Sequence, residues 1–139
     1  MRLLEKAVRI LWTSPNTLLG VLIGTCGLLT GGRVQRARGC LEFWGGFTSW
    51  FLRRMPNGQF TLAMTLGHSI LGTNRDALEI SRDHEHIHVR QYETWGPLFI
   101  PAYLGWSGVL WFRGKDPYRD NPFEVEAFAD DDRRRKLKN

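Results

Sequence analysis

Residues 60–97 read FTLAMTLGHSILGTNRDALEISRDHEHIHVRQYETWGP, and a change of period inside them decides the fold. Phe60, Leu62, Met64 and Leu66 alternate with Thr61, Ala63 and Thr65, the period-two signature of a half-buried strand. The same parity carries on to His68 and Ile70 unless Gly67 introduces a bulge. From Thr73 the pattern turns helical. Thr73, Asn74 and Asp76 form a start signal and Gly96-Pro97 a stop, which predicts a helix from about Arg75 to Trp95.

Working outward, Leu41 and Phe43 around Glu42 predict another strand after Gly39, and Pro56-Asn57-Gly58 predicts a turn before Phe60. Together these elements predict a small antiparallel sheet over about 33–72. Downstream, Asn121-Pro122-Phe123-Glu124 opens a further helix that runs into the basic tail. Asn121 is its expected N-cap, Pro122 its first residue and Glu124 the third position of a capping box. The expected fold class is α+β, a small antiparallel sheet followed by a helical half, with two short apolar segments. One domain of 139 residues accommodates it. Its parts are an apolar N-terminal segment (1–32), the sheet (33–73), the helical half (74–132) and a basic tail (133–139).

Within the long helix, residues 84–88 are His-Glu-His-Ile-His and contain His84-Glu85-x-x-His88, an HExxH pattern. Two histidines four apart stand on one helix face, one turn up, and can hold a single zinc ion. Glu85 lies about 100° round from His84 and can reach a metal-bound water as general base. At that spacing Ile80, His84, Ile87, His88, Gln91 and Trp95 share one core-facing sector. His86 points the opposite way, toward the surface. Glu79, Arg82, Asp83, Arg90 and Glu93 read as solvated charge, and His68 reads as a packed strand residue. Catalytic zinc takes three protein ligands and keeps one position open. The third ligand is sought in the Asn121–Ala127 stretch, where Glu124 leads. Glu126 is the alternative, pointing some 200° away on the same helix.

The net charge of +5 conceals where the charge sits. Residues 1–75 sum to +7, residues 76–132 to −7 and residues 133–139 to +5, and three of the four histidines lie in the acidic block. A sequence pI near 9.7 invites a nucleic-acid reading, but a cationic run at a terminus is ordinarily solvated, so no nucleic-acid partner is expected. Cys26 and Cys40, without CxxC spacing, form neither a disulfide framework nor a thiolate zinc site. Arg2, Lys6 and Arg9 before Thr17–Leu29 resemble a signal peptide without a cleavage site. That apolar stretch and Pro97–Phe112 are both shorter than the roughly 20 residues that span a bilayer. Gly20, Gly24 and Gly27 in the first would allow close helix packing in lipid. Flanking cations and interfacial Trp and Tyr suit an in-plane or hairpin attachment, so the expected location is membrane-associated, otherwise cytoplasmic.

His84-Glu85-x-x-His88 followed by a helix carrying Glu124-x-x-Ala127 resembles the gluzincin branch of zinc metallopeptidases. The likeness is to small bacterial proteins over the second half of the chain. It runs from His84-Glu85 through Val89-Arg90-Gln91-Tyr92 and Trp95-Gly96-Pro97 to Tyr118-Arg119-Asp120-Asn121-Pro122. The resemblance implies Zn2+ at His84, His88 and Glu124, a general base at Glu85, a substrate edge on the preceding strand and a peptide or protein substrate. Tyr118 would supply an oxyanion donor. The sequence departs from the membrane-peptidase form of the motif at Phe128, where that form has Asp, and from the thermolysin-type Asn-Glu-x-x-x-Asp. The competing expectation is a non-catalytic membrane-associated or scaffold protein with a structural or vestigial metal site.

Overall fold

The computed structural model describes residues 2–55 and 62–139. A long helix, α1 (Arg2–Leu29), leads into a hairpin of β1 (Arg33–Ala37) and β2 (Cys40–Trp44). A short helix, α2 (Gly46–Arg53), precedes a second hairpin of β3 (Ala63–Leu66) and β4 (Ser69–Gly72). Three helices follow, α3 (Arg75–Trp95), α4 (Phe99–Phe112) and α5 (Pro122–Lys138), the first two joined by a 3-10 turn at Gly96–Leu98. The architecture is α+β with a helical C-terminal half, as the change of period predicts.

The sheet is mixed, not antiparallel. Its order is β1-β2-β4-β3, with β1–β2 and β3–β4 antiparallel and β2–β4 parallel. The reason is α2, in a stretch expected to be sheet. By carrying the chain across before β3, it returns β4 alongside β2 in the same direction, as a crossover connection does. Both hairpins close on two residues. Arg38 (φ 49°) and Gly39 (φ 79°) turn the first, and Gly67 (φ 63°) opens the second. A turn at Gly67 resets the parity, so His68 leaves the strand pattern. It bonds Glu93 at 3.0 Å instead of continuing the face of Leu66. The Pro56-Asn57-Gly58 turn, Phe60 and Thr61 lie outside the described residues.

Two layers of helix cover the sheet. Ile70 and Cys40 pack on Leu78 and Val89 of α3, while Leu71, Phe43 and Leu66 pack on Leu52 of α2 with Val21 and Ile23 of α1 beside them. Helix α1 turns its small residues inward. A Cβ at Gly20, Gly24 or Gly27 would collide with Ser69, the Phe43 ring or Thr48 respectively, so these glycines seat α1 on the protein's own sheet and α2. Their near-helical spacing, read from sequence as a lipid packing device, is used for this contact. Pro15 leaves the Leu11 carbonyl without its helical donor, and the Ser14 hydroxyl supplies one at 2.8 Å. The Asn16 amide then donates to the Gly96 carbonyl at 2.8 Å in a buried bond, tying α1 to the end of α3.

Candidate metal centre

Helix α3 begins where its capping chemistry places it, since Asn74 accepts the Ala77 N–H at 2.8 Å. From there the helical period sets which side chains face inward. Glu85, Ile87, His88, Gln91 and Tyr92 are buried and His84 is nearly so. Ile80, expected in the same sector, is 76% exposed, because α5 crosses α3 nearer its C-terminal end. His86 is half-buried rather than superficial, and its Nε2 has no hydrogen-bond partner among the described residues. Arg82, read as solvated, forks onto the fully buried Glu42 with two hydrogen bonds of 2.9 Å.

Helix α5 supplies the third member of the cluster. Asn121 caps it by accepting the Phe123 N–H at 3.1 Å, and the Asn121 amide donates to the Tyr103 carbonyl and the Ser107 hydroxyl of α4, both at 3.0 Å. Phe123 fills a cluster with Tyr92 and Phe99, which sets the register of α5 against α3 and α4. In that register Glu124 is buried and Glu126 exposed. The capping box is not made. The Asn121 N–H donates to the Tyr118 carbonyl, and the Glu124 carboxylate turns away from the cap toward the histidines.

One ligand atom each from His84, His88 and Glu124 lies within 4.8 Å of the others. Glu124 Oε2 stands 3.3 Å from His84 Nε2 and 3.2 Å from His88 Nε2. Zinc bonds of about 2.0–2.1 Å at tetrahedral angles put ligand atoms about 3.3 Å apart, so these two edges have the size the ion requires. The outer contacts determine which imidazole nitrogen is available. Gln91 donates its amide to the Phe123 carbonyl at 3.0 Å, so its oxygen faces His88 Nδ1 at 2.8 Å and must accept from it. His88 therefore keeps its proton on Nδ1 and presents Nε2 to the cluster. His84 Nδ1 donates likewise to Asp131 at 2.6 Å. Tyr103 donates its hydroxyl to Glu124 Oε1 at 2.9 Å, leaving Oε2 for the site. Each candidate ligand is thus oriented by a separate partner on its far side.

Protein-family models, curated proteins and solved structures contain no match to this chain.

Electrostatically the cluster sets one buried carboxylate against two imidazoles, and each side favours the charged form of the other. Burial opposes charge on His88, yet the Glu124 hydrogen bond and charge outweigh it and push its pKa up to about 9. His84 is raised for the same reasons, with Asp131 adding to the effect. Burial works against ionised Glu124 too, but the bonds from His84, His88 and Tyr103 hold it down at about 2. Glu85 sits beside the cluster, its carboxylate accepting the Thr65 hydroxyl of β3 at 2.6 Å. Tyr118 packs edge-on against Phe128, and burial followed by the charges of Glu124 and Glu85 raises its phenol well above the ordinary value. Phe128 lies against the His84 ring, with centroids 4.8 Å apart.

Sequence reasoning brought His84, Glu85, His88, Glu124 and Tyr118 into view and missed Thr65, Tyr103 and Asp131, while Gln91 was placed on the right face without a role. A signal existed for two of these. Gln91 lies three residues after its partner His88 on one face of α3, and Asp131 lies seven after Glu124, on the face of α5 that meets the histidines. Nothing local marks Tyr103, which arrives from α4 by packing alone.

Proposed function

We propose that this chain is a zinc-dependent hydrolase of the metallopeptidase type, with zinc held by His84, His88 and Glu124. The single observation that carries the reading is the fully oriented ligand set. One carboxylate oxygen lies at tetrahedral spacing from each of two Nε2 atoms, all three ligand atoms fall within 4.8 Å of one another, and each is turned inward by its own outer hydrogen bond. Two nitrogens and one carboxylate oxygen form a donor set that zinc takes in catalytic sites. Bound there, zinc would act as a Lewis acid and bring the pKa of a water to roughly 7.

The protein's own groups supply the remaining roles. Glu85 is positioned by Thr65 through one carboxylate oxygen, which leaves the other free to take a proton from a nucleophile and return it to a leaving group. Because Thr65 lies on β3, the edge strand of the sheet among the described residues, the bond couples the base to the strand along which an extended peptide could pair. Tyr118, kept protonated by burial and the nearby carboxylates, has a hydroxyl to donate to a developing oxyanion.

The competing reading is a structural metal clamping α5 to α3, favoured by the burial of His88 and Glu124. Two variants separate them. Near-equimolar zinc is expected in the native protein and is lost in His88→Ala. Glu85→Gln should keep zinc and lose hydrolysis of a casein-type substrate by at least about a hundredfold. Undiminished zinc in His88→Ala overturns the site, and stoichiometric zinc without hydrolysis by the native protein assigns the metal to structure.

A further inference from the structure

The inward face of α1 changes chemistry along its length. Gly27, Gly24, Gly20, Asn16 and Thr13 are buried and follow one another at steps of three and four residues. Continued toward the N-terminus by the same steps, that face carries Arg9, Lys6 and Arg2, all exposed. The half with small residues packs against the fold, and the half with cations does not.

A cavity lies where the packing stops. Trp12 and Asn16 bond to carbonyls at the end of α3, and Arg9 reaches Glu93 at 3.6 Å. Beyond that point α1 and α3 are two walls of a cavity of about 800 Å³, with the β1–β2 turn as a third. A cleft of that size is one that takes a small molecule. Helix α3 presents His86, Val89, Arg90 and Glu93 to it, one face at steps of three and four residues. His84 and His88 meet Glu124 of α5 instead, so the cavity and the metal centre lie on different faces of the same helix.

Five cations line the cavity and two carboxylates oppose them. Arg9 is engaged by Glu93, which also holds His68 at 3.0 Å, and Arg38 is held by Asp83 at 2.6 Å. Among the described residues Arg2, Lys6 and Arg90 have no ion pair, and the lining carboxylate left to face all three is Glu5. Two positive charges are therefore unmatched in a concave site, where like charges raise the local potential and draw in anions. Ile10 of α1, Val89 of α3 and Cys40 of β2 add an apolar wall.

We propose that this cavity binds a small phosphomonoester, with the phosphate among Arg2, Lys6 and Arg90 and the organic body against Ile10, Val89 and Cys40. A phosphomonoester carries about −1.5 to −2 charges at neutral pH, close to the unmatched charge, whereas one carboxylate would leave half of it. Two of the three cations are guanidinium forks, which grip phosphate oxygens in pairs. The site uses none of the metal-centre residues, so it stands or falls independently of the hydrolase reading.

The test is titration calorimetry of the full-length protein with phenyl phosphate. Binding is expected with a Kd below about 1 mM, weakening with salt. It should be at least about threefold tighter than inorganic phosphate, which has no body for the apolar wall, and at least about tenfold tighter than benzoate, which has one charge. Lys6→Glu combined with Arg90→Glu should lose at least about tenfold in affinity without lowering the thermal midpoint of the ligand-free protein. Glu5→Gln removes the opposing carboxylate and should tighten binding severalfold, a gain that misfolding cannot imitate. Flotation with phosphatidylcholine vesicles containing phosphatidic acid assigns the source. Co-flotation reversed by phenyl phosphate makes the ligand a lipid headgroup, and tight phenyl phosphate binding without flotation makes it a soluble phosphomonoester. No binding at about 10 mM phenyl phosphate, benzoate binding equally well, or affinity indifferent to both the double Glu variant and Glu5→Gln, as for phosphate taken by a metal at His84 and His88, would each overturn the proposal.

Discussion

Two buried carboxylates reach α3 from different elements, Glu42 from β2 and Glu124 from α5, and the chain neutralises them in different ways. Glu42 takes two hydrogen bonds from the Arg82 guanidinium and one from Gln35 at 2.7 Å. A guanidinium does not release its proton in a protein, so this pair has one state and no vacancy for another cation. Glu124 is faced instead by His84 and His88, whose protons can come and go. A carboxylate held by fixed charge closes a structure. One held by removable protons is where a divalent ion can enter, with the imidazoles turning from donors to ligands.

The largest effect should come from breaking the closed pair. Arg82→Leu leaves Glu42 charged and buried, and the expected cost is about 3–5 kcal/mol, read as a lower denaturant midpoint. Adding Glu42→Leu should restore most of it, because a well-packed apolar pair can replace a buried ion pair. If Arg82→Leu alone costs less than about 1 kcal/mol, the two carboxylates are not as different as their partners suggest.

A sharper contrast lies in pH. In the metal-free protein His88 has a folded pKa near 9 against an ordinary 6.5, so its stabilising contribution is complete below pH 6.5 and is lost as pH rises through 9. Glu124, depressed from 4.5 to about 2, contributes above pH 4.5 and loses that contribution as pH falls through 2. This site is therefore strongest between those limits without metal, and thermal melts in chelator should fall between pH 6.5 and 9. With zinc the slope over that window should reverse, since deprotonation then favours the ligands. The Glu42–Arg82 pair should show no dependence in the same range. Equal slopes with and without zinc would break the distinction.

The smallest effects belong to the outer partners. Gln91→Ala and Asp131→Ala each release one imidazole from its orientation and should weaken zinc by about 10–100-fold, less than loss of a ligand. Tyr103→Phe removes one of several bonds to Glu124 and should lie at the lower end of that range, measured by competition with a chelating dye.

How much of this was legible depended on how far each feature reaches along the chain. The start of α3 at Arg75 and of α5 at Pro122 follow from Asn74 and Asn121, each capping an N–H two or three residues away. The parallel pairing of β2 with β4 was not legible, because it depends on α2 crossing between hairpins that are individually antiparallel. Arg82 looked solvated because its partner is 40 residues away on a strand whose inward side chain is acidic. The glycines of α1 were legible as a close-approach face, but what they approach is the sheet. The Asn-Pro-x-Glu signature of α5 had a sufficient local explanation in a capping box, and the fold used its glutamate elsewhere.

The sequence by itself determined the chemistry available along one helix, since covalent spacing and a period of 3.6 place His84 and His88 on one face with Glu85 at the next position round. It also determined that residues 1–75 are cationic and that the histidines lie among acids. Tertiary structure alone decided that Glu124, not Glu126, joins the cluster, because the packing of Tyr92, Phe99 and Phe123 sets the rotation of α5 against α3. It likewise decided that α1 turns its leucines outward, because the sheet and α2 leave no room for a Cβ at Gly20, Gly24 and Gly27. The physical reason is common to both. A helix period fixes which residues share a face, but which face is buried depends on the shape of what it meets.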